Sequence, residues 1–165
     1  MRNSKVRYIA HSGIIAAAYV ALTMISAAFG LSSGAIQIRI SEALCVLPIF
    51  TASAVPGVAI GCFIANILCG GTLYDIIFGT IATLLAAVIT HFIKTPFLSS
   101  IPTIVSNVVI IPLVLIMSGI GGMELFPYFS LTVGLGEVIS CGILGTVLAV
   151  YLKKHPRITQ ALFKA

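Results

Sequence analysis

The sequence predicts an all-α integral membrane protein, a bundle of six transmembrane helices with both termini on the cytoplasmic side. The mean hydropathy is +1.19, and apolar residues make up 59% of the chain against 8% charged residues. Soluble domains carry about 25% charged residues, so this composition indicates a bilayer environment. The placement of the basic residues then predicts the topology.

Basic residues cluster at the two ends of the chain. Seven of the nine flank the first and last apolar stretches: Arg2, Lys5, Arg7, Lys153, Lys154, Arg157 and Lys164. Because basic flanks stay on the cytoplasmic side of a membrane, both termini are expected inside. The net charge of +5 therefore indicates topology and contact with anionic lipid headgroups, and no nucleic-acid partner is predicted.

Five apolar stretches are visible, so termini on one side require that one stretch forms two helices. The stretch 40–70 can do so if it breaks at 54–57, where Pro56 lacks a backbone donor and Gly57 permits a reversal. Each half is shorter than the ~20 residues of an ordinary span, which requires a thinned bilayer or shelter by neighbouring helices. The predicted helices of this single domain, 1–165, are 8–29, 40–54, 56–70, 76–93, 101–120 and 127–152.

The first helix carries small residues on one face. Gly13, Ala17 and Ala21 recur every fourth residue, and such a stripe allows two membrane helices to approach closely. The spacing leaves two interpretations open, which are packing inside the bundle and docking of another membrane subunit.

The loop after the first helix is predicted on the outer side. Residues 35–40 alternate apolar and polar side chains with the period of a strand, so Gln37 and Arg39 would share one face of an ordered lid. Arg39 lies on the outside against the charge bias, three residues before Glu42. We expect it to serve a site or an ion pair, and the alternative is a surface loop with an incidental strand.

Two polar side chains lie on small-residue faces of later helices. Glu137 lies on such a face in the last helix, and Asn66 lies on one in the third. The small residues of these faces are Gly134, Cys141, Gly145 and Ala149 in the last helix, and Ala59, Cys62 and Cys69 in the third. Ionisable and polar groups are costly in lipid, so both side chains are expected to face the bundle interior. For Asn66 and also for Glu137, a purely structural interhelical hydrogen bond is an alternative.

Two further polar residues are candidates for the same pocket. Asp75 opens the fourth predicted helix, where its carboxylate either binds a ligand or caps the helix N-terminus. Asn107 falls in the inner part of the fifth helix by simple counting. Glu124 is assigned to a solvated loop.

Enzymatic functions lack their motifs in this chain. The sequence contains no G-x-x-x-x-G-K-[ST] loop, no H-E-x-x-H and no G-x-S-x-G, and its three histidines lie at predicted membrane ends. The four cysteines are isolated, without the spacing of a metal or redox motif. No catalytic residue, metal site or cofactor is therefore predicted, and a polar pocket without its own energy source indicates a capture subunit.

Several stretches of the chain resemble one family. Residues 37–44 read QIRISEAL, 55–57 read VPG, 65–66 read AN, and 75–83 read DIIFGTIAT. With these residues the chain resembles the QueT family, the substrate-binding S components of energy-coupling factor transporters. The resemblance implies a multi-pass protein of the prokaryotic plasma membrane that takes up a queuosine precursor, pre-queuosine-1, an aminomethyl-deazaguanine. It also implies partners, namely a transmembrane coupling protein and two ABC-type ATPases.

The implied ligand fits the residues found above. Its guanine-like edge presents N–H donors, and its aminomethyl group is a cation. A carboxylate can accept hydrogen bonds from either group. The residues implied for binding are Gln37, Arg39, Glu42, Asn66, Tyr74, Asp75, Asn107 and Glu137, with Phe78 or Tyr128 as other stacking partners. S components similarly contact the coupling protein through an Ala-x-x-x-Ala pattern, which Ala17 and Ala21 match.

Two other functions are compatible with the sequence. One is an S component with the same fold for another small vitamin-like substrate. The other is an oligomeric channel or ion-coupled exchanger, in which Glu137 would be the proton or cation site.

Overall fold

The computed structural model describes residues 2–31 and 37–163, which contain helices and no strand. The helices are α1 (Arg2–Ala28), α2 (Ile40–Ile49), α3 (Ala54–Leu68), α4 (Asp75–His91), α5 (Ile101–Met117), α6 (Met123–Lys154) and α7 (Pro156–Phe163). Helices α1, α3 and α5 are regular α-helix throughout, whereas α2 is a 3₁₀ helix. The first turn of α4, Asp75–Gly79, and a central segment of α6, Val138–Gly145, are π-helical. The predicted all-helical class is confirmed for the described residues.

Within the described part of the chain, three helical stretches are long and apolar enough to cross a membrane. They are Ser4–Ala28, Pro96–Met117 and Met123–Lys154. The other apolar helices, α2, α3 and α4, are shorter. Large apolar side chains such as Phe63, Leu84 and Val147 are exposed on the surface of the bundle. A surface of this kind is expected where a protein faces lipid rather than water.

The break between α2 and α3 lies earlier than predicted. The chain leaves the helical path at Phe50–Ser53, and α3 already begins at Ala54. Pro56 lies in the first turn of α3, where its missing N–H has no intrahelical acceptor to lose. Gly57 serves packing rather than a reversal, because a Cβ at this position would lie 2.9 Å from Cβ of Ile15 in α1. The predicted break at 54–57 was therefore wrong by about one helical turn.

Polar faces of α3 and α6 point into the bundle, as the spacing of small residues predicted. In α6, Glu137, Cys141 and Ala149 are buried, and a Cβ on Gly145 would lie 2.9 Å from Val46 of α2. In α3 the buried residues of the predicted face are Ala59, Cys62 and Asn66. Cys69, just beyond the end of α3, is exposed instead. Small side chains at these contacts allow the short helices to lie close together.

Helix α1 has two different faces. Ile15, Ala16 and Tyr19 are buried against the rest of the bundle. The small residues Gly13, Ala17 and Ala21 are all exposed on the other side, and nothing described lies within 4 Å of a Cβ built on Gly13. The small-residue face is thus not used for packing inside the described bundle.

The loops lie at two opposite ends of the helices. At one end Thr72 and Ser118 share a hydrogen bond of 2.8 Å between their hydroxyl oxygens, which joins the loop before α4 to the loop after α5. At the other end the Tyr8 hydroxyl donates to the carbonyl of Ala52 at 3.3 Å. The ring Nδ1 of His91 lies 2.8 Å from the carbonyl oxygen of Pro48 at that same end.

The structure adds a last helix that the sequence did not predict. α6 continues to Lys154, and α7 then starts at Pro156, a residue favoured at the first position of a helix. Phe163 of α7 packs against the hydrophobic core. Lys164 lies outside the described residues.

The predicted strand 35–40 is described only in part, because positions 35 and 36 lie outside the described residues. Arg39 within it has extended backbone, with φ −104° and ψ 103°.

Candidate functional site

A cavity of about 420 Å³ lies between the helices and reaches the end of the bundle that carries the Thr72–Ser118 contact. Leu68, Gly71 and Ile120 line it near that end. The structure brings seven of the eight predicted binding residues into its wall: Gln37, Arg39, Glu42, Asn66, Asp75, Asn107 and Glu137. Ligand pockets in proteins commonly have volumes of roughly 300–1,000 Å³, so this cavity can hold a small organic molecule.

Glu137 has an oxygen that no described group satisfies. Its side chain is only 9% exposed. Oε1 accepts a hydrogen bond of 2.7 Å from Nδ2 of Asn107, whereas Oε2 is buried without a partner among the described residues. Buried polar atoms are rarely left unpaired, and each such atom needs an explanation. Because Glu137 lines the cavity, a donor on a bound molecule would supply the missing partner.

Glu42 lines the same cavity with both oxygens engaged by the protein. The hydroxyl of Tyr19 donates to Oε1, and the thiol of Cys45 donates to Oε2 over 3.2 Å. The residue is 2% exposed. A carboxylate oxygen has two lone pairs, so Glu42 retains acceptor capacity towards the cavity. The two carboxylates therefore differ. Both oxygens of Glu42 accept hydrogen bonds from protein groups, whereas only Oε1 of Glu137 does.

Arg39 is held by Asn66 rather than paired closely with Glu42. Its Nη1 donates to Oδ1 of Asn66 at 3.1 Å, and Nδ2 of Asn66 donates to the carbonyl oxygen of Asp75 at 3.1 Å. The Asn66 amide thus joins the segment before α2 to the start of α4. A guanidinium carries five N–H donors, so Arg39 keeps further donors for a ligand.

Asp75 lies at the rim of the cavity and also stabilises the start of α4. Its Oδ2 accepts hydrogen bonds from the backbone N–H and the hydroxyl of Thr72, at 3.1 Å and 2.9 Å. The backbone N–H of Asp75 donates back to the Thr72 hydroxyl at 3.3 Å. This reciprocal arrangement is a capping box. Thr72 is the capping residue because Leu73 and Tyr74 are already helical, so Asp75 lies inside the first turn and not at the predicted cap position.

The predicted stacking residues do not line the cavity. Tyr74 is 41% exposed, and its ring stacks on that of Phe78 with centroids 6.5 Å apart. Tyr128 is also exposed. The opposite side of α4 contributes Gly79 and Thr83 to the wall instead. Tyr74 is thus the one predicted binding residue that does not line this cavity, and its role in binding stays a prediction.

A close backbone contact holds Gln37 next to Glu137. A Cβ built on Gly136 would overlap the carbonyl oxygen of Gln37 and lie 3.0 Å from its carbonyl carbon. Only glycine lacks a Cβ, so only glycine at position 136 allows the backbone of Gln37 to approach this closely. Gly136 thereby allows the segment 37–39 to lie against α6, directly beside the unsatisfied carboxylate.

Sequence reasoning missed three polar contributors. Thr23 and Thr83 line the cavity, and Tyr19 donates to Glu42 from outside its wall. Tyr19 and Thr23 lie four residues apart on α1, and such polar pairs on one face of an apolar helix mark an interior face. This spacing was the available signal.

The arrangement favours a small molecule that is rich in N–H donors and carries positive charge. Glu42, Glu137 and Asp75 line the cavity as potential anions, and among the described lining residues only Arg39 contributes a guanidinium. The apolar part of the wall includes Ile111, Leu115 and Val133. A ligand with one flat apolar body and a cationic group would match both parts of the lining.

Comparisons with known proteins agree on one family. A family model described as QueT transporter matches residues 9–154. The queuosine precursor transporter QueT of Lactococcus lactis subsp. cremoris (strain MG1363) is 40% identical over 84 residues, a match that covers 51% of this chain and 49% of that relative. The match thus spans about half the length of the relative, and no solved structure matches the chain. Because the family match covers most of the chain, this protein belongs to the QueT transporter family.

Proposed function

We propose that this transporter-family chain is the substrate-capture subunit, or S component, of an energy-coupling factor importer, and that it binds pre-queuosine-1. The observation that carries the proposal is the buried, unpartnered Oε2 of Glu137 in the wall of the cavity. The name of the Lactococcus relative, a queuosine precursor transporter, supports the substrate class.

The chemistry of an aminomethyl-deazaguanine fits the lining. Its aminomethyl group is a cation and can donate to Glu137 Oε2 in a charge-assisted hydrogen bond. Its guanine-like edge offers N–H donors to Glu42, and its ring carbonyl can accept from Arg39. The apolar wall at Ile111 and Leu115 can then cover the flat ring. In this pose the cationic group, the guanine-like N–H edge and the ring carbonyl each have a partner of the complementary kind.

The charge of the cavity favours a cation over a neutral analogue. Glu42, Glu137 and Asp75 at the rim can together carry three negative charges, of which the guanidinium of Arg39 compensates one. A cationic ligand would compensate another, and an unpaired charge in a poorly hydrated site is costly. We therefore expect guanine, which lacks the amine, to bind more weakly than aminomethyl-deazaguanine.

Capture from outside follows if the cavity opens on the external side. Exposed basic residues lie near the opposite end of the helices: Lys5, Arg7 and Lys94 are close in the chain to the Tyr8 and His91 contacts. Lys153 belongs to the part of α6 that contacts the segment Pro96–Leu98, just after His91. The positive-inside rule puts that end in the cytoplasm. We propose six spans with both termini inside, in which the short helices α2, α3 and α4 are sheltered by α1, α5 and α6.

The energy for uptake would come from partners. We propose a transmembrane coupling protein and two ABC-type ATPases, with the exposed face at Gly13, Ala17 and Ala21 as the contact with the coupling protein. Exposure of all three small residues supports this use, because close packing of small residues is worthwhile only against another helix.

Equilibrium binding of aminomethyl-deazaguanine to the purified subunit tests the proposal. We expect tight binding by the wild type, a loss of at least tenfold in Glu137→Gln, and weaker binding of guanine. Glu124→Gln is the matched control, because Glu124 is an exposed carboxylate outside the cavity wall. Absence of binding by folded wild-type protein, or equal loss in both variants, would contradict the proposal.

The unpaired oxygen of Glu137 also supports a second candidate function. In an ion-coupled exchanger Oε2 would hold a proton or cation, because intramembrane carboxylates commonly form such relays. Proteoliposomes that contain this chain alone separate the two functions. Ion-driven flux without ATPase partners would favour the exchanger, and ligand binding without flux would favour capture.

A further inference from the structure

We infer that Tyr19 is a positioning residue that fixes the carboxylate of Glu42 in the binding cavity and so determines ligand affinity from outside its wall. The inference rests on the proposed function for the identity of the ligand. Tyr19 lies on α1 and is 1% exposed, and it is absent from the residues that line the cavity. Its hydroxyl nevertheless donates to Oε1 of Glu42.

Tyr19 belongs to a row of hydrogen bonds that join α1 to the start of α2. Thr23, one turn further along α1, donates to the hydroxyl of Ser41 over 2.7 Å. Ser26, almost one turn beyond it, accepts from the backbone N–H of Ile40 at 2.9 Å. Three side chains of one helix thus hold three consecutive residues, 40–42, and the last of these is the cavity carboxylate. The row fixes both the backbone and the side chain of Glu42 relative to α1.

The ring of Tyr19 is itself held tightly. A Cβ on Gly61 of α3 would lie 3.0 Å from Cγ of Tyr19 and 3.1 Å from the carbonyl oxygen of Ala16. Glycine at position 61 therefore allows the ring to pack against α3, and the packed ring has little freedom to withdraw its hydroxyl. Because the donor cannot move away, Glu42 keeps one orientation whether or not a ligand is present.

A fixed carboxylate has a function in ligand binding. A buried acceptor that already points at the ligand position loses no rotational freedom on binding, so affinity rises. Removal of the Tyr19 hydroxyl would free Glu42 to turn and would leave Oε1 with one donor fewer. We expect about a tenfold loss of affinity, which is the size associated with a hydrogen bond to a charged group.

The experiment is a double-mutant cycle on the intact subunit with aminomethyl-deazaguanine as the ligand. Tyr19→Phe should weaken binding about tenfold, and it should have less than a twofold effect when Glu42→Ala is already present, because the acceptor of the Tyr19 hydroxyl is then absent. Tyr8→Phe is the matched control, since Tyr8 donates to a backbone carbonyl at the other end of α1. Unchanged affinity in Tyr19→Phe, or independent effects of the two substitutions, would overturn the inference.

An infrared measurement keeps the inference testable without ligand binding. The chain has only four Asp and Glu residues, so the carboxylate band lost in Glu42→Gln can be assigned to Glu42. We expect this band to shift in Tyr19→Phe and to stay in place in Tyr8→Phe. If the wild type binds no aminomethyl-deazaguanine, the proposed function fails, and the band alone decides the role of Tyr19. A band that is unmoved by Tyr19→Phe would overturn that role.

Discussion

Gly136→Ala is expected to reduce ligand affinity although position 136 does not line the cavity. The added Cβ would overlap the carbonyl oxygen of Gln37 and lie 3.0 Å from its carbonyl carbon. Backbone atoms cannot rotate away as a flexible side chain can, so the segment 37–39 has to retreat. A retreat of roughly 1 Å is the least that restores ordinary contact distances in a close-packed structure.

The size of the effect follows from the next contact along the segment. The hydrogen bond from Arg39 Nη1 to Asn66 Oδ1 measures 3.1 Å, and a retreat of about 1 Å takes it beyond hydrogen-bonding distance. The same retreat would move the guanidinium of Arg39 away from a bound ligand, and a lost hydrogen bond between a charged group and the ligand is worth about 1.5–3 kcal/mol, or a roughly 10- to 150-fold loss of affinity.

Titration calorimetry with aminomethyl-deazaguanine measures this loss. Gly142→Ala is the matched control on the same helix, since its Cβ would find neighbours no closer than 3.6 Å. Both variants exchange glycine for alanine in α6, so general effects on the helix cancel in the comparison. Wild-type affinity in Gly136→Ala, or an equal loss in Gly142→Ala, would refute the reasoning.

Two further substitutions test the outer surfaces of the bundle. Ala17→Trp adds bulk to an exposed face of α1, so we expect ligand affinity within about twofold of wild type but loss of uptake and of co-purification with the coupling protein; normal uptake with normal co-purification would contradict the docking role. Tyr74→Ala removes a ring that stacks on Phe78 outside the cavity, so we expect less than a twofold change in affinity by calorimetry. A tenfold loss in Tyr74→Ala would place the ring in the site after all.

The site could be predicted from the sequence where burial of a polar group is costly. Glu137 and Asn66 each lie on a small-residue face of an apolar helix, and the helical period then indicates the direction in which each side chain points. Asn107 needed the structure, because counting along the chain placed it in the inner half of its helix. Its contact with Glu137 depends on the relative depth of α5 and α6, which the sequence does not specify.

Other features could not be predicted because helix boundaries decide them. Pro56 indicated a break, but a proline is equally compatible with the first turn of a helix, and the structure uses it there. Tyr74 was one of the rings expected to stack on the ligand, but adjacent helical residues point about 100° apart, and Asp75 lines the cavity whereas Tyr74 does not. For Tyr19 the four-residue spacing to Thr23 indicates an interior face, whereas its contact with Glu42 became visible only in the structure.

The π-helical segment Val138–Gly145 makes the length of α6 as important as its composition. It begins directly after Glu137 and lies between that residue and the regular turns of Thr146–Lys154. A π-helical turn holds more residues than an α-helical turn, so deletion of one residue within 138–145 could restore a regular helix. The deleted residue would be the one that the wider turns accommodate, so Glu137 and the turns of Thr146–Lys154 would keep their present relative direction. Deletion of one residue in a regular α-helical part of α6 would instead rotate the two flanking parts by about 100° relative to each other. The segment 138–145 is thus the part of α6 that can lose a residue without turning the carboxylate of Glu137 out of the cavity.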